Sequence, residues 1–192
     1  MSADAVTHLR TDSDLAPLIE EHGPLSLEPA DDPFRRLVVS LTRQQVSMAA
    51  ATAVEERLFD AVDVSPDGLL AAEESTLRDA GLSRQKTEYV RAVARAWRER
   101  DYDRGFFEGM DDEAVTAELT RVHGVGTWTA KMFLLFALGR PDVFPVEDLG
   151  VRRGMAEVCG QEMSREEMRE RAAAWRPYRS YASRYLWLAY EG

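Results

Sequence analysis

The sequence predicts an all-α fold, and three observations carry that expectation. Apolar residues recur with a helical period in several stretches, each opened by the Ser, Asp or Pro residues that start helices. Strand-like alternation is nearly absent, and Asp142 to Phe144 is at most a short extended piece. One segment, Thr127 to Leu138, is apolar on nearly every side, the pattern of a buried central helix. At 192 residues the chain can bury a real interior, as one large domain or as two small lobes sharing a core.

The elements follow in order. Pro33, after Asp31-Asp32, is a favoured first helical position and opens 33–60, which the polar stretch Arg43 to Ser47 divides into two helices. Ser65-Pro66-Asp67 starts the next helix, and Glu73 to Thr76 starts a short one ending at Gly81. Ser83 to Arg100 is amphipathic, with Tyr89, Val93, Ala96 and Trp97 on one face. Asp111 to Glu113 place acids at the start of a helix through Leu119, where they complement its dipole. The apolar helix comes next, another follows Asp148, and the last runs from about Tyr178 to Tyr190. No repeat, low-complexity tract or long linker interrupts them.

Composition narrows the function classes. No apolar run approaches the roughly 18 residues of a membrane span; the longest is Met132 to Leu138. The N-terminus lacks the basic start and apolar stretch of a signal peptide. A single cysteine, Cys159, permits neither an intrachain disulfide nor a cysteine-based zinc or iron–sulfur site. The expectation is a cytoplasmic monomer with no metal held by side chains. A net charge of −10 argues against a nucleic-acid partner, yet the basic residues are uneven. Segments 176–187 and 35–53 each hold three arginines and no acid, so local fields outweigh the total. Lys86 and Lys131 are the only lysines, and such an acidic, lysine-poor chain suits a salty cytosol.

The most informative residues are 121–154. His123-Gly124-Val125-Gly126 is a glycine-punctuated turn that leads into the apolar helix. Glycines at 124 and 126 allow positive φ and close backbone approach. A helix beginning at Thr127 would offer unpaired N–H groups to an anion, and the preceding carbonyls near Val122 and Val125 could hold Na+ or K+. A glycine-capped helix connection is the alternative. Asp148 stands between Pro145 and Arg152-Arg153; it is either a working carboxylate or an N-cap for the helix after it.

The run Leu119-x-x-Val122-His123-Gly124-Val125-Gly126-x-x-Thr129-Ala130 resembles a helix–hairpin–helix element. With Phe144-Pro145-Val146-Glu147-Asp148-Leu149-Gly150-Val151-Arg152 after it, the chain resembles the helix–hairpin–helix–Gly/Pro–Asp (HhH-GPD) superfamily of DNA glycosylases. Leu41-Thr42-Arg43-Gln44-Gln45-Val46-Ser47 matches a further signature of that superfamily. Trp175-Arg176-Pro177-Tyr178-Arg179-Ser180-Tyr181-Ala182, continuing to Leu186-Trp187, matches its alkylbase, AlkA-like branch. The likeness covers about residues 30–190.

That resemblance implies a two-lobed helical glycosylase. One lobe would be about 35–138, including the hairpin at 119–131; the N-terminal segment plus 139–192 would form the other, with a catalytic cleft between them. It implies release of alkylated purines such as 3-methyladenine and 7-methylguanine from duplex DNA by base flipping. Asp148 falls on the catalytic aspartate, a carboxylate suited to the positive charge that builds on the sugar. Gly124, Val125, Gly126, Thr127 and Thr129 fall on the DNA-binding hairpin, with Gln44, Gln45, Arg179 and Ser180 as further DNA contacts. Gln45 matches the residue that fills the gap left by the flipped nucleotide. Trp128, Met132 and Trp187 fall on the base pocket. Strand-cutting members carry a lysine nucleophile where this chain has Trp128, so base removal alone is implied. Met132 departs from the branch's usual tyrosine. Other lesions, hypoxanthine or 8-oxoguanine, and a non-catalytic DNA-binding module stay open as alternatives.

Overall fold

The computed structural model describes residues 3–191, and among these the chain is helical with no strand. Two compact units divide it: Met1–Pro29 with Gly139–Gly192, and Ala30–Leu138. No helix among the described residues is long and apolar enough to cross a membrane.

The first stretch of the discontinuous unit carries α1 (Ala3–Leu9) and α2 (Ala16–His22). Neither was expected from the sequence, because 7 residues are too few to display a period.

The continuous unit begins with α3 (Pro33–Thr42) and α4 (Met48–Ala61), which flank the expected polar break. There follow α5 (Pro66–Ala71), α6 (Glu74–Asp79), α7 (Arg84–Glu99), α8 (Arg104–Glu108), α9 (Asp112–Leu119) and α10 (Thr127–Phe136). Only the short α8 lacked a sequence signal. Side chains at the helix starts explain why the boundaries were legible. Asp32, Ser47, Ser65, Ser83 and Asp111 each accept a bond from the N–H three residues on, as Asp103 does at the start of the unexpected α8. Each such cap contributes roughly 1 kcal/mol. The core joins Phe34, Leu37 and Val38 of α3 to Val90, Val93 and Trp97 of α7 and Phe133 of α10, all buried. Trp97 meets Phe34 edge-on at 5.3 Å and Phe133 at 6.2 Å. The unit's ends are tied together. Ala30 N–H donates to Phe136 O at 3.1 Å, and the Arg104 guanidinium donates to both Ala30 O and Ala137 O.

The discontinuous unit resumes with α11 (Leu149–Cys159), α12 (Arg165–Ala172), a 3₁₀ turn at Ala173–Trp175, and α13 (Arg179–Glu191). Here α12 escaped the sequence pattern, being mostly charged, although Ser164 and Glu167 form a capping box that marks its start. Leu9, Leu15 and Ile19 pack in one cluster with Val151, Met155, Trp175, Tyr185 and Leu186. Polar bonds sew the early helices to the late ones. Asp12 accepts from Trp175 Nε1 at 2.8 Å and from Arg171 at 2.7 Å, and Tyr185 Oη donates to Gly23 O at 2.8 Å. Burial opposes ionisation of Asp12, but the bonds from Arg171 and Trp175 outweigh it and hold the carboxyl below its usual range. α11 and α13 lie unusually close: a Cβ built on Gly154 would fall 1.9 Å from Leu186 O.

Candidate functional site

In the continuous unit, the turn between α9 and α10 is anchored by Val122 and Val125, whose side chains are buried. Leu119 O receives Val122 N–H and Val122 O receives Val125 N–H, each at 3.0 Å, closing the hairpin. The two glycines, both able to adopt positive φ, differ in what they use. Gly124 has φ +91, and a Cβ there would lie 2.2 Å from Tyr89 Cγ. Gly126 is extended, with φ −96, and a Cβ on it would meet nothing within 4 Å. Gly126 is also the N-cap of α10, which no side chain caps. Tyr89 and residues 120–126 line an open concavity of about 520 Å³ beside it. Tyr89 further receives His123 edge-on at 5.0 Å.

Three residues expected to touch DNA are redirected by the structure. Thr129 is 1% exposed, and Gln44 Nε2 donates to its Oγ1 at 2.8 Å and to Gly124 O at 3.0 Å. Gln44 is therefore a prop under the hairpin rather than a surface glutamine. Val125, with its side chain buried, can offer only backbone. Gly126, Thr127 and Gln45 remain exposed.

Gln45 adopts φ +57 at the tip of the loop between α3 and α4, flanked by Val46 and Met48, themselves 46% and 56% exposed. The base of this loop is braced. Arg43 makes a two-pronged pair with buried Glu55 at 2.8 and 3.1 Å, Thr42 Oγ1 donates to the same carboxylate at 2.9 Å, and Lys86 Nζ donates to Thr42 O at 2.6 Å. Burial lowers the Lys86 ammonium below its usual range, and burial followed by the Arg43 charge pushes Arg36 down to about 10. The roles of Tyr89, Glu55 and Lys86 were not legible in the sequence, because each acts across distant segments.

In the discontinuous unit, Asp148 caps α11: Val151 N–H donates to its Oδ1 at 2.9 Å. Trp187 Nε1, from α13, donates to the same oxygen at 2.8 Å. The two donors converge on one of the carboxylate's two oxygens. The chain before Asp148 is fixed on both sides. Buried Phe144 and Val146 anchor it inward, Asp148 N–H closes a turn onto Pro145 O at 2.8 Å, and Arg152 donates to Glu147 O at 2.6 Å. Upstream, Arg179 forks onto the Asp142 carboxylate at 2.7 and 3.0 Å. Ser180, 0% exposed, donates to Arg140 O at 2.6 Å and accepts from Val143 N–H at 2.8 Å. Both were expected to contact DNA; in the structure Arg179 Nε and Nη2 and the Ser180 hydroxyl bond residues 140–143. Of the expected pocket residues, Trp128 is half-buried and Met132 buried on α10, and Trp187 is half-buried on α13.

The family described as HhH-GPD superfamily base excision DNA repair protein matches residues 38–179. A DNA-3-methyladenine glycosylase of Saccharomyces cerevisiae is 35% identical over 80% of this chain and 55% of its own length. A DNA-3-methyladenine glycosidase of Bacillus halodurans superposes with a TM-score of 0.82 at 34% identity, covering 98% of this chain and 89% of that one. The Schizosaccharomyces pombe 3-methyladenine DNA glycosylase bound to abasic DNA shares the fold, with a TM-score of 0.89 at 24% identity over 96% and 95% of the two chains. The chain spans about half to two thirds of the length of several curated relatives, 55% of the budding-yeast protein and 66% of a Bacillus subtilis one.

Proposed function

The chain belongs to the HhH-GPD superfamily of base excision DNA repair proteins, within its alkylbase branch, and on that premise we propose that it is a DNA glycosylase for alkylated purines. Working as a cytoplasmic monomer on duplex DNA, it flips 3-methyladenine or 7-methylguanine out of the stack and hydrolyses its N-glycosidic bond without cutting the strand. The observation that supports this most is the Asp148 carboxylate, held through one oxygen by two N–H donors at the start of α11. As the bond breaks, its electron pair leaves with the base and positive charge builds on the sugar. A fixed carboxylate stabilises that charge and orients the water whose oxygen takes the base's place at C1′.

The hairpin supplies grip. Gly126 N–H and the start of α10 face a strand phosphate, where helix dipole and backbone donors act together. Extrusion costs a few kcal/mol, and Gln45 replaces part of the lost stacking from its exposed loop tip. Trp128, Met132 and Trp187 fall on the family's base-pocket positions, and a cationic alkylated base is attracted to aromatic faces. Such bases are also better leaving groups than their neutral parents. Trp128 in place of a lysine leaves no Schiff-base nucleophile there, so the strand stays intact. Val122 and Val125 carbonyls offer oxygen donors to a monovalent cation. Val122 O also accepts from Val125 N–H, and a carbonyl's second lone pair serves an ion. Among the described residues, no cluster of His, Cys, Asp or Glu could hold a metal.

Base release from duplexes carrying one 3-methyladenine, 7-methylguanine, hypoxanthine or 8-oxoguanine, measured across salt, tests the reading. The methylated purines should be released fastest, with no strand scission. Equal release by Asp148→Asn, or release confined to other lesions, would overturn it.

A further inference from the structure

Trp187 stands among the expected pocket aromatics, but its closest polar contact gives it a different task. We infer that the Trp187 indole N–H is a positioning group for Asp148, and that Gly150 exists to let the indole reach it. This inference rests on the proposed role of Asp148.

Two observations carry it. Nε1 donates to Asp148 Oδ1 at 2.8 Å, converging with the capping N–H of Val151 on that oxygen. Two donors from different elements fix the carboxylate's rotation, which a cap bond alone leaves adjustable. The second observation is the fit of α13 against α11. Gly150 and Gly154, four residues apart, share one face of α11. A Cβ at 154 would strike the Leu186 backbone, and a Cβ at 150 would lie 2.8 Å from Trp187 Cδ1 and 3.2 Å from Asp148 Oδ1. Any larger residue at 150 therefore intrudes on the hydrogen bond itself. The small face of α11 and the indole of α13 form one device, and its output is the direction of a carboxylate.

A wall and a donor respond oppositely to substitution. Trp187→Phe keeps an aromatic face and removes the N–H. Trp187→His loses the benzo ring, but its Nε2 superposes on the indole nitrogen and restores a donor. On a duplex with a single 7-methylguanine, Trp187→Phe should slow single-turnover excision at least tenfold, with duplex affinity changed less than threefold. Trp187→His should be faster than Trp187→Phe, and Gly150→Ala should be slowed with the indole still present. A Phe variant as fast as wild type, or faster than His, overturns the inference while leaving the glycosylase reading intact. A readout independent of activity completes the test. Among the indole N–H resonances of the four tryptophans, the one that Trp187→Phe removes should move upfield in Asp148→Ala. An unmoved resonance overturns the inference even if no base is released.

Discussion

The hairpin and the Asp148 segment both depend on glycine, but for opposite reasons. At the hairpin, Gly124 is required by the protein's own interior, through positive φ and the Tyr89 ring, whereas Gly126 meets nothing intramolecular. Around Asp148 the collisions are all internal: Gly150 and Gly154 make room for α13. A glycine with no internal collision, beside a helix start that no side chain caps, is the feature behind the proposed phosphate contact. A glycine crowded by its own chain marks geometry already complete. In the proposed reading, one region would grip with main chain and the other would act through a single side chain held from two sides.

Substitutions can break that contrast. The largest effect is expected from Asp148→Asn, which keeps the cap but loses the charge. Excision should fall about 10²- to 10³-fold, typical of removing a preorganised electrostatic group, while filter or anisotropy binding of undamaged duplex stays near wild type. Gly124→Val should come next. It forces a β-branched residue to φ +91 against Tyr89, costing roughly 3 kcal/mol or more by strain and overpacking, visible as a lower urea midpoint. Gly126→Val should leave that midpoint unchanged and weaken damaged and undamaged duplex alike by about tenfold, the loss of one charge-assisted bond. Weakening confined to damaged DNA would count against a phosphate role. Gln44→Leu leaves Gly124 O and Thr129 Oγ1 without their amide, and should cost about 1 kcal/mol of stability.

The smallest effect lies in the unit away from the hairpin. Asp12 has a folded pKa below its unfolded value, so its stabilising contribution is complete above about pH 4 and is lost as pH falls through the folded value. Thermal unfolding between pH 5 and 2 should therefore lose less stability in Asp12→Asn than in wild type. An identical slope would mean the Arg171 and Trp175 bonds do not favour the charged form.

What the sequence disclosed follows the range of the interactions involved. Helix starts were readable because a cap acts over three residues: Ser65 on Gly68, Asp111 on Ala114. The break at 43–47 was readable because polar residues interrupt an apolar period there. Helices α1, α2 and α8 are too short for a period, and their order comes from distant partners such as Arg171 for Asp12. The same distance hid the internal bonds of Gln44, Arg179 and Ser180. Each looked like a surface polar residue, and each bonds a segment at least 37 positions away. Asp148 was legible as a cap or as a working carboxylate; the cap is real, and the indole on its oxygen lay 39 positions beyond view.

The bond between Ala30 and Phe136, locked over by Arg104, has a consequence for how the chain is made. The Ala30–Leu138 stretch closes on itself, so every residue of that closure is present once residue 138 has left the ribosome. Helices α1 and α2 are made well before their partners, since Asp12 bonds Arg171 and Trp175, and Gly23 bonds Tyr185. Until those partners arrive, the apolar faces of α1 and α2 depend on something other than the native core for cover.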